Sequence, residues 1–189
     1  EFPILDYGCG TGSVIDKCSR LINAKHFYGY DPFYVHDMSK NKDNITFSSE
    51  LNEQNFYSLI MALDVVEHLQ DLDSFLEFAS KHSGYLYLHV PLEINFYSIL
   101  SGDHVKTFRK FGHINFFTEE LLVERLRSHG FSTVSIYYLN TMQAINPKSL
   151  MGHLRKWLTS IGFMISNKYC AKLLNVNPRL SILVSNDKN

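Results

Sequence analysis

Short apolar runs alternate along this chain with stretches whose apolar residues recur at helical spacing. Phe2 to Tyr7 reads as a short strand running into a cluster of glycines. Val14, Ile15, Cys18, Leu21 and Ile22 then return every three or four residues, the spacing of one helix face. His26 to Tyr30 predicts a second strand, ended at Asp31-Pro32 because proline has no N–H for a strand ladder. A third strand is expected near Ile45 to Ser49. Tyr57 to Leu63 is almost wholly apolar, as a strand covered on both faces should be. Leu72, Phe75, Leu76 and Ala79 mark the next helix, and Tyr85 to Val90 a fifth strand stopped by Pro91.

From Leu92 to Phe117 this rhythm breaks, over a length too great for a simple connection, so a functional insertion or a short extra helix is expected there. Thr118 reads as an N-cap, with Glu119 and Glu120 in the first turn, where the helix dipole favours negative charge. Gly130 reads as the residue just past the helix end, before a sixth strand from Phe131 to Leu139. Pro147 to Ser160 and Phe163 to Val176 look like two helices, and Leu180 to Ser185 like a final strand. Strands alternating with helices predict a doubly wound α/β fold. A length of 189 residues fits a single domain, 1–189.

Charge adds one feature. Net charge is only −1, but no Asp or Glu occurs between Thr141 and Asn186, where Lys148, Arg155, Lys156, Lys168, Lys172 and Arg179 stand. A separate basic segment points to an anionic partner or to a solvated helical face. Cys9, Cys18 and Cys170 are too few and too scattered for a disulfide framework or a metal knuckle, so no metal is expected and a reducing, cytoplasmic setting is. No apolar run approaches the ~20 residues that span a bilayer. The chain opens almost directly on a strand, so no signal peptide is expected, and on Glu1 rather than Met, which leaves an N-terminal truncation open.

The chemistry is concentrated in the glycines. A strand running into Gly8-x-Gly10-x-Gly12 and then a helix lets a ligand approach the main chain without obstruction by Cβ. A dinucleotide-binding dehydrogenase would need glycine where Ser13 or Ile15 stands, and no Gly-Lys-Ser/Thr follows to make a P-loop. Ile4 to Gly12 resembles the first motif of class I S-adenosylmethionine (SAM)-dependent methyltransferases. Gly29-Tyr30-Asp31 is similar to the acidic end of their second strand, and Tyr57 to Ile60 with Asp64-Val65-Val66-Glu67-His68-Leu69 to their fourth-strand motif. Gly112-His113-Ile114-Asn115-Phe116-Phe117-Thr118 with Gly130-Phe131 resembles a pattern in the small-molecule and glycan-type branch. Tyr57-Ser58 departs from the Phe-Asp usual in that family.

The resemblance implies a Rossmann-like, seven-stranded, mostly parallel sheet with an antiparallel last strand, and helical insertions near 92–117 and 141–179. It implies SAM as cofactor. Gly8, Gly10 and Gly12 would line its methionine part, and Asp6 would hold the loop and meet the ammonium. Asp31 would accept the ribose hydroxyls, a task suited to a carboxylate with two acceptor oxygens. Ser49 and Glu50 would neighbour the adenine, and Leu63 and Asp64 would pass beneath the methionine.

A hydroxyl acceptor must also lose a proton, commonly to histidine. His68, His89, His104 and His113 all fall at or after strands four and five, where ligands of such sheets bind. His113 is the first candidate and His68 the second, with Asp103 more remote. Aromatic residues interleaved with Lys106, Arg109 and Lys110 in the insertion suit a lid over a small-molecule, sugar or lipid-linked acceptor. The alternatives are an RNA methyltransferase using the basic segment, with nucleic acid the less favoured partner, and a catalytically inert SAM-fold interaction module. The amphipathic basic stretch 141–179 is expected either to pack, on the sheet or on a second subunit in a homodimer, or to lie peripherally on the inner face of the membrane.

Overall fold

The computed structural model describes residues 3–33, 42–94, 99–100, 102–139, 146–147, 149–173 and 178–187. Seven strands form one sheet: β1 (Ile4–Tyr7), β2 (Phe27–Tyr30), β3 (Ile45–Ser48), β4 (Tyr57–Leu63), β5 (Ser83–Pro91), β6 (Phe131–Leu139) and β7 (Arg179–Asn186). Their order across the sheet is β3-β2-β1-β4-β5-β7-β6. The first five are parallel, and β7 runs antiparallel to both of its neighbours. Strand order reverses between β1 and β4, which puts the ligand crevice of such a fold beyond the carboxyl ends of these two strands. The helices are α1 (Ser13–Leu21), α2 (Leu72–His82), α3 (Asp103–Phe111), α4 (Glu119–Ser128), α5 (Leu150–Ile165) and α6 (Asn167–Leu173), and a 3-10 turn spans Val66–His68.

Alternation along β1 shows why the sheet is covered on both sides. Ile4 packs with Ile15 of α1, Phe27, Ile45 and Met61 in one cluster. Leu5 points the other way, into a larger cluster with Phe75 and Leu76 of α2 and Leu122 and Leu126 of α4. Tyr7 follows Leu5, its ring centroid 4.7 Å from that of Phe75 and 4.9 Å from that of Tyr30. Thr118 caps α4 by accepting the Leu121 N–H at 3.2 Å, and Arg125 clamps α4 to the start of α2 with two bonds to Asp73, at 2.9 and 2.8 Å.

Three sequence expectations shift. Strand five starts at Ser83 directly after α2 and includes Pro91, because pairing with β4 begins at Tyr57↔Ser83 and pairing with β7 reaches Pro91↔Arg179. The first of the two expected C-terminal helices is longer: α5 begins after its Ser149 cap and runs through Gly162 to Ile165. A glycine inside a helix costs only about 1 kcal/mol, so the break falls instead at Ser166, whose N–H closes on the Gly162 carbonyl at 2.8 Å. The second helix starts at Asn167, and its expected end at Val176 lies outside the described residues. The insertion near 92–117 holds the short helix expected of it, α3, whereas Phe96 and Tyr97 also lie outside the described residues. Among the described residues no helix is long and apolar enough to cross a membrane.

Candidate active site

The glycine loop begins in β1 and is held by the end of β2. The Tyr30 carbonyl accepts the N–H groups of Gly8 at 2.7 Å and Cys9 at 3.0 Å. Gly10 N–H donates to Asp31 Oδ2 at 2.9 Å, and Phe33 N–H to Asp31 Oδ1 at 3.0 Å. Gly8, Gly10 and Gly12 all have positive φ, at 77°, 50° and 75°. Space differs among the three. A Cβ on Gly8 would lie 2.4 Å from Val65 Cγ2, and one on Gly12 2.4 Å from the Phe47 ring, while one on Gly10 would meet nothing within 4 Å. The loop is therefore tight at its flanks and open at its centre, as a main-chain cradle for a ligand must be. Asp6, just before the loop, is 2% exposed. Burial, reinforced by the negative charge of Asp31, pushes its carboxyl up to about 7.

The ends of β4 and β5 build the opposite wall. Asp64, just past β4, has φ 56°, donates its N–H to the His89 carbonyl at 2.9 Å, and forms an ion pair with Arg179 at the start of β7. Val65, which packs on Gly8, leads straight into the 3-10 turn, so the turn's residues follow directly from the loop's own neighbour. The turn buries Glu67 and leaves His68 exposed. Residues after α3 are laced onto it. The Glu67 carbonyl accepts Ile114 N–H at 2.9 Å and Asn115 N–H at 3.0 Å, and the Asn115 amide donates to the carbonyls of Val66 and Leu69 at 2.9 and 2.7 Å.

This lacing brings His113 beside His68, with rings edge to face and centroids 4.7 Å apart. His113 Nδ1 lies 2.8 Å from Oε1 of Glu93, which is 4% exposed. Burial holds the His113 imidazole below its ordinary range, the Glu67 carboxyl opposing that and His68 adding to it. A neutral ring donates Nδ1–H to Glu93 and keeps the Nε2 lone pair. Glu67 is pushed up to about 7 by burial, opposed first by a hydrogen bond from its own backbone N–H, with Asp64 raising it further and His113 and Arg179 lowering it.

The structure thus brings together Asp6, Gly8, Gly10, Gly12 and Asp31 on one side, and Asp64, His68 and His113 on the other. Leu63, at the end of β4, is half-buried between them in sequence. Ser49 and Glu50 are exposed just past β3, where Glu50 N–H donates to Ser48 Oγ at 2.9 Å. His89 sits within β5, its Nδ1 2.9 Å from Ser181 Oγ of β7, a contact inside the sheet. The side chains of Asp103 and His104 lie outside what the structure describes. Glu67, Glu93 and Arg179 are the residues that sequence reasoning passed over. Glu67 adjoins His68 within a recognised motif, which was the one available signal; Glu93 and Arg179 are joined to their partners only by folding.

A methyltransferase-domain family model matches residues 3–136. The sheet order with its antiparallel seventh strand and the glycine loop define a class I, Rossmann-like methyltransferase fold. The chain belongs to the methyltransferase-domain family, and it is a SAM-dependent methyltransferase. Solved structures share the fold. The YcgJ protein of Bacillus subtilis is 13% identical, with a TM-score of 0.64 over 100% of this chain and 93% of that one. A cyclopropane synthase of Mycobacterium tuberculosis is 13% identical, with a TM-score of 0.65 over 97% of this chain and 78% of that one. A phosphoethanolamine N-methyltransferase of Haemonchus contortus, in complex with phosphomonomethylethanolamine and S-adenosylhomocysteine, is 13% identical, with a TM-score of 0.61 over 98% of this chain and 49% of that one. No curated protein sequence matches the chain.

Proposed function

We propose that this methyltransferase transfers a methyl group to an oxygen or nitrogen of a small-molecule, sugar or lipid-linked acceptor, in the crevice between the Gly8–Gly12 loop and the His68–His113 pair. The observation that carries the reading is the open space at Gly10, beside the Asp31 carboxylate, in a loop whose Gly8 packs on Val65 at the start of the turn that carries His68. SAM, when bound, supplies an electrophilic methyl. Gly8, Gly10 and Gly12 line its methionine end, and the Asp6 carboxylate faces its ammonium. Asp31 receives the ribose hydroxyls: each of its oxygens already accepts one backbone N–H, and a carboxylate has about four acceptor sites. Ser49 and Glu50 neighbour the adenine, while Leu63 and the backbone of Asp64 pass beneath the methionine.

On the acceptor side, His113 is oriented by Glu93 so that its Nε2 takes the proton of an acceptor hydroxyl, with His68 as the second candidate. Displacement at a methyl group depends mainly on in-line positioning and exclusion of water.

The apolar face of α5 is the surface we propose for a second copy of this chain. Leu150, Met151, Leu154, Trp157, Leu158, Met164 and Ile165 are all exposed. Two cations of the acid-free stretch are taken up within the fold, Lys168 by Glu119 at 2.9 Å and Arg179 by Asp64. That leaves less charge for an anionic membrane, and favours an apolar cover. Peripheral attachment to a membrane is the competing reading.

The decisive experiment has two stages. Calorimetry of the purified chain with SAM and S-adenosylhomocysteine should show one binding site. Labelled methyl from SAM should then pass to sugar, lipid or small-molecule pools and not to RNA. Label entering RNA would move the acceptor to nucleic acid. Binding without transfer to any pool would favour an inert interaction module.

A further inference from the structure

Glu67 poses a physical problem that the methyl-transfer reading does not solve. Its side chain is 1% exposed, and its Oε2 has no hydrogen-bond partner among the described residues. A buried carboxylate oxygen left unsatisfied is costly, and proteins retain one where something else meets it. Metal-ligating groups stand beside it: Glu67, His68 and His113 offer donor atoms that all lie within 4.8 Å of one another. Donors bound to one ion at about 2.0–2.2 Å stand roughly 3–4 Å apart, so small side-chain rotations would close this set around a cation.

The two imidazoles are also presented correctly. His113 Nδ1 is engaged by the Glu93 carboxylate at 2.8 Å, and His68 Nδ1 faces the Gly112 carbonyl at 3.4 Å. Both contacts select the tautomer with the proton on Nδ1, leaving the Nε2 lone pair for a ligand bond. A carboxylate or carbonyl behind the far nitrogen is how metal-binding histidines are usually oriented. The set is braced as well, because the Glu67 carbonyl and the Asn115 amide lock the His113 segment to the turn that carries Glu67 and His68.

We infer that Glu67, His68 and His113 form a binding site for one divalent first-row transition cation, with two nitrogen donors, one oxygen donor and its remaining positions open on the exposed His68 side. Two imidazoles among three donors favour the manganese-to-zinc series over magnesium or calcium, which prefer all-oxygen sets. Glu93 is then a positioning residue, acting through His113. The inference rests on the proposed function only in placing the open side of the ion toward the acceptor. There the loaded site would make His113 a ligand, and no longer the group that takes the acceptor's proton.

Cobalt(II) is the probe, because its visible absorption reports ligation directly. The full chain, stripped with a chelator, is titrated with Co²⁺ and, in parallel, with Zn²⁺ by calorimetry. One equivalent per chain is expected, with Mg²⁺ failing to compete at equal concentration. His68→Ala, Glu67→Gln and His113→Ala should each weaken binding by tenfold or more, Glu93→Gln by about 10–100-fold, and His153→Ala on exposed α5 not at all. His68 is exposed, so its substitution is the one least able to disturb the fold, and SAM calorimetry on every variant reports whether the cofactor side is intact. Absence of Co²⁺ binding, or equal binding by His68→Ala and the native chain, overturns the site. Failure of SAM binding with Co²⁺ binding retained overturns the methyl-transfer reading and leaves the cation site standing. The reverse result does the opposite.

Discussion

Asp6 shows most directly how a single residue sets the behaviour of the site. Its carboxyl is raised from 3.8 to about 7 by burial first and by Asp31 second. An acid raised on folding contributes stability that is complete below its unfolded value and is lost as pH rises through its folded value. The Asp6 contribution to the stability of the cofactor-free protein should therefore fall from about pH 4 to about pH 7 and level off above. Glu67, also raised to about 7, moves in the same direction. Denaturant midpoints of Asp6→Asn against the native chain at pH 5 and pH 8 isolate the Asp6 share: the variant should show the shallower decline. Equal slopes would mean that Asp6 ionises freely. Asp31 tests the other end of the loop. Its two oxygens hold Gly10 and Phe33, so Asp31→Ala should weaken SAM binding by about 1.5–3 kcal/mol, the usual worth of bonds to a charged group. Unchanged calorimetric affinity would remove Asp31 from the cofactor site.

At the scale of elements, what could be read from the chain was whatever depends on near neighbours. β4 and β6 have the limits the apolar pattern predicts, and Thr118 caps α4 as its type and position suggest. Replacing Thr118 by Ala should cost about 1 kcal/mol, typical of a lost N-cap, measured as a shift in denaturant midpoint; no shift would show that the Leu121 bond contributes nothing net. Elements whose limits depend on distant partners were harder to place. Nothing local marks Ser83-Gly84 as strand, yet the register with Tyr57 requires it. Gly162 looks like a helix end, but α5 continues through it because its closing bond lies at Ser166. The site divides the same way. The glycine loop was legible because its demand, backbone turning through positive φ, is local. The group around Glu67 was not. Glu93 meets His113 only because the end of β5 and the strand of chain after α3 converge, and no spacing announces that a 3-10 turn buries Glu67 while exposing His68.

On the scale of the whole molecule, the central strands β1 and β4 are packed into the core while much of the apolar face of α5 is exposed. Thr159 faces inward, where its carbonyl takes the Cys170 thiol at 3.4 Å, but Trp157 is 61% exposed and Met164 87%. Soluble monomers seldom leave contiguous apolar patches of more than a few hundred Å² uncovered, and larger ones mark contacts with proteins or membranes. Leu150, Leu154, Trp157, Leu158, Ile161 and Ile165 share one side of the helix, so a single cover would serve them all. A second copy of the chain presents the same helix and could bury it symmetrically. Sedimentation equilibrium should accordingly show a monomer–dimer balance that rises with concentration and is insensitive to salt. Trp157→Asp should shift it at least tenfold toward monomer while leaving SAM affinity unchanged, because α5 lies outside the elements that carry the loop. A membrane role would give a different pattern: binding to anionic but not neutral vesicles, weakened by salt and reduced by Lys156→Glu, with a monomer in free solution. That result would replace the dimer and assign α5 to the lipid surface.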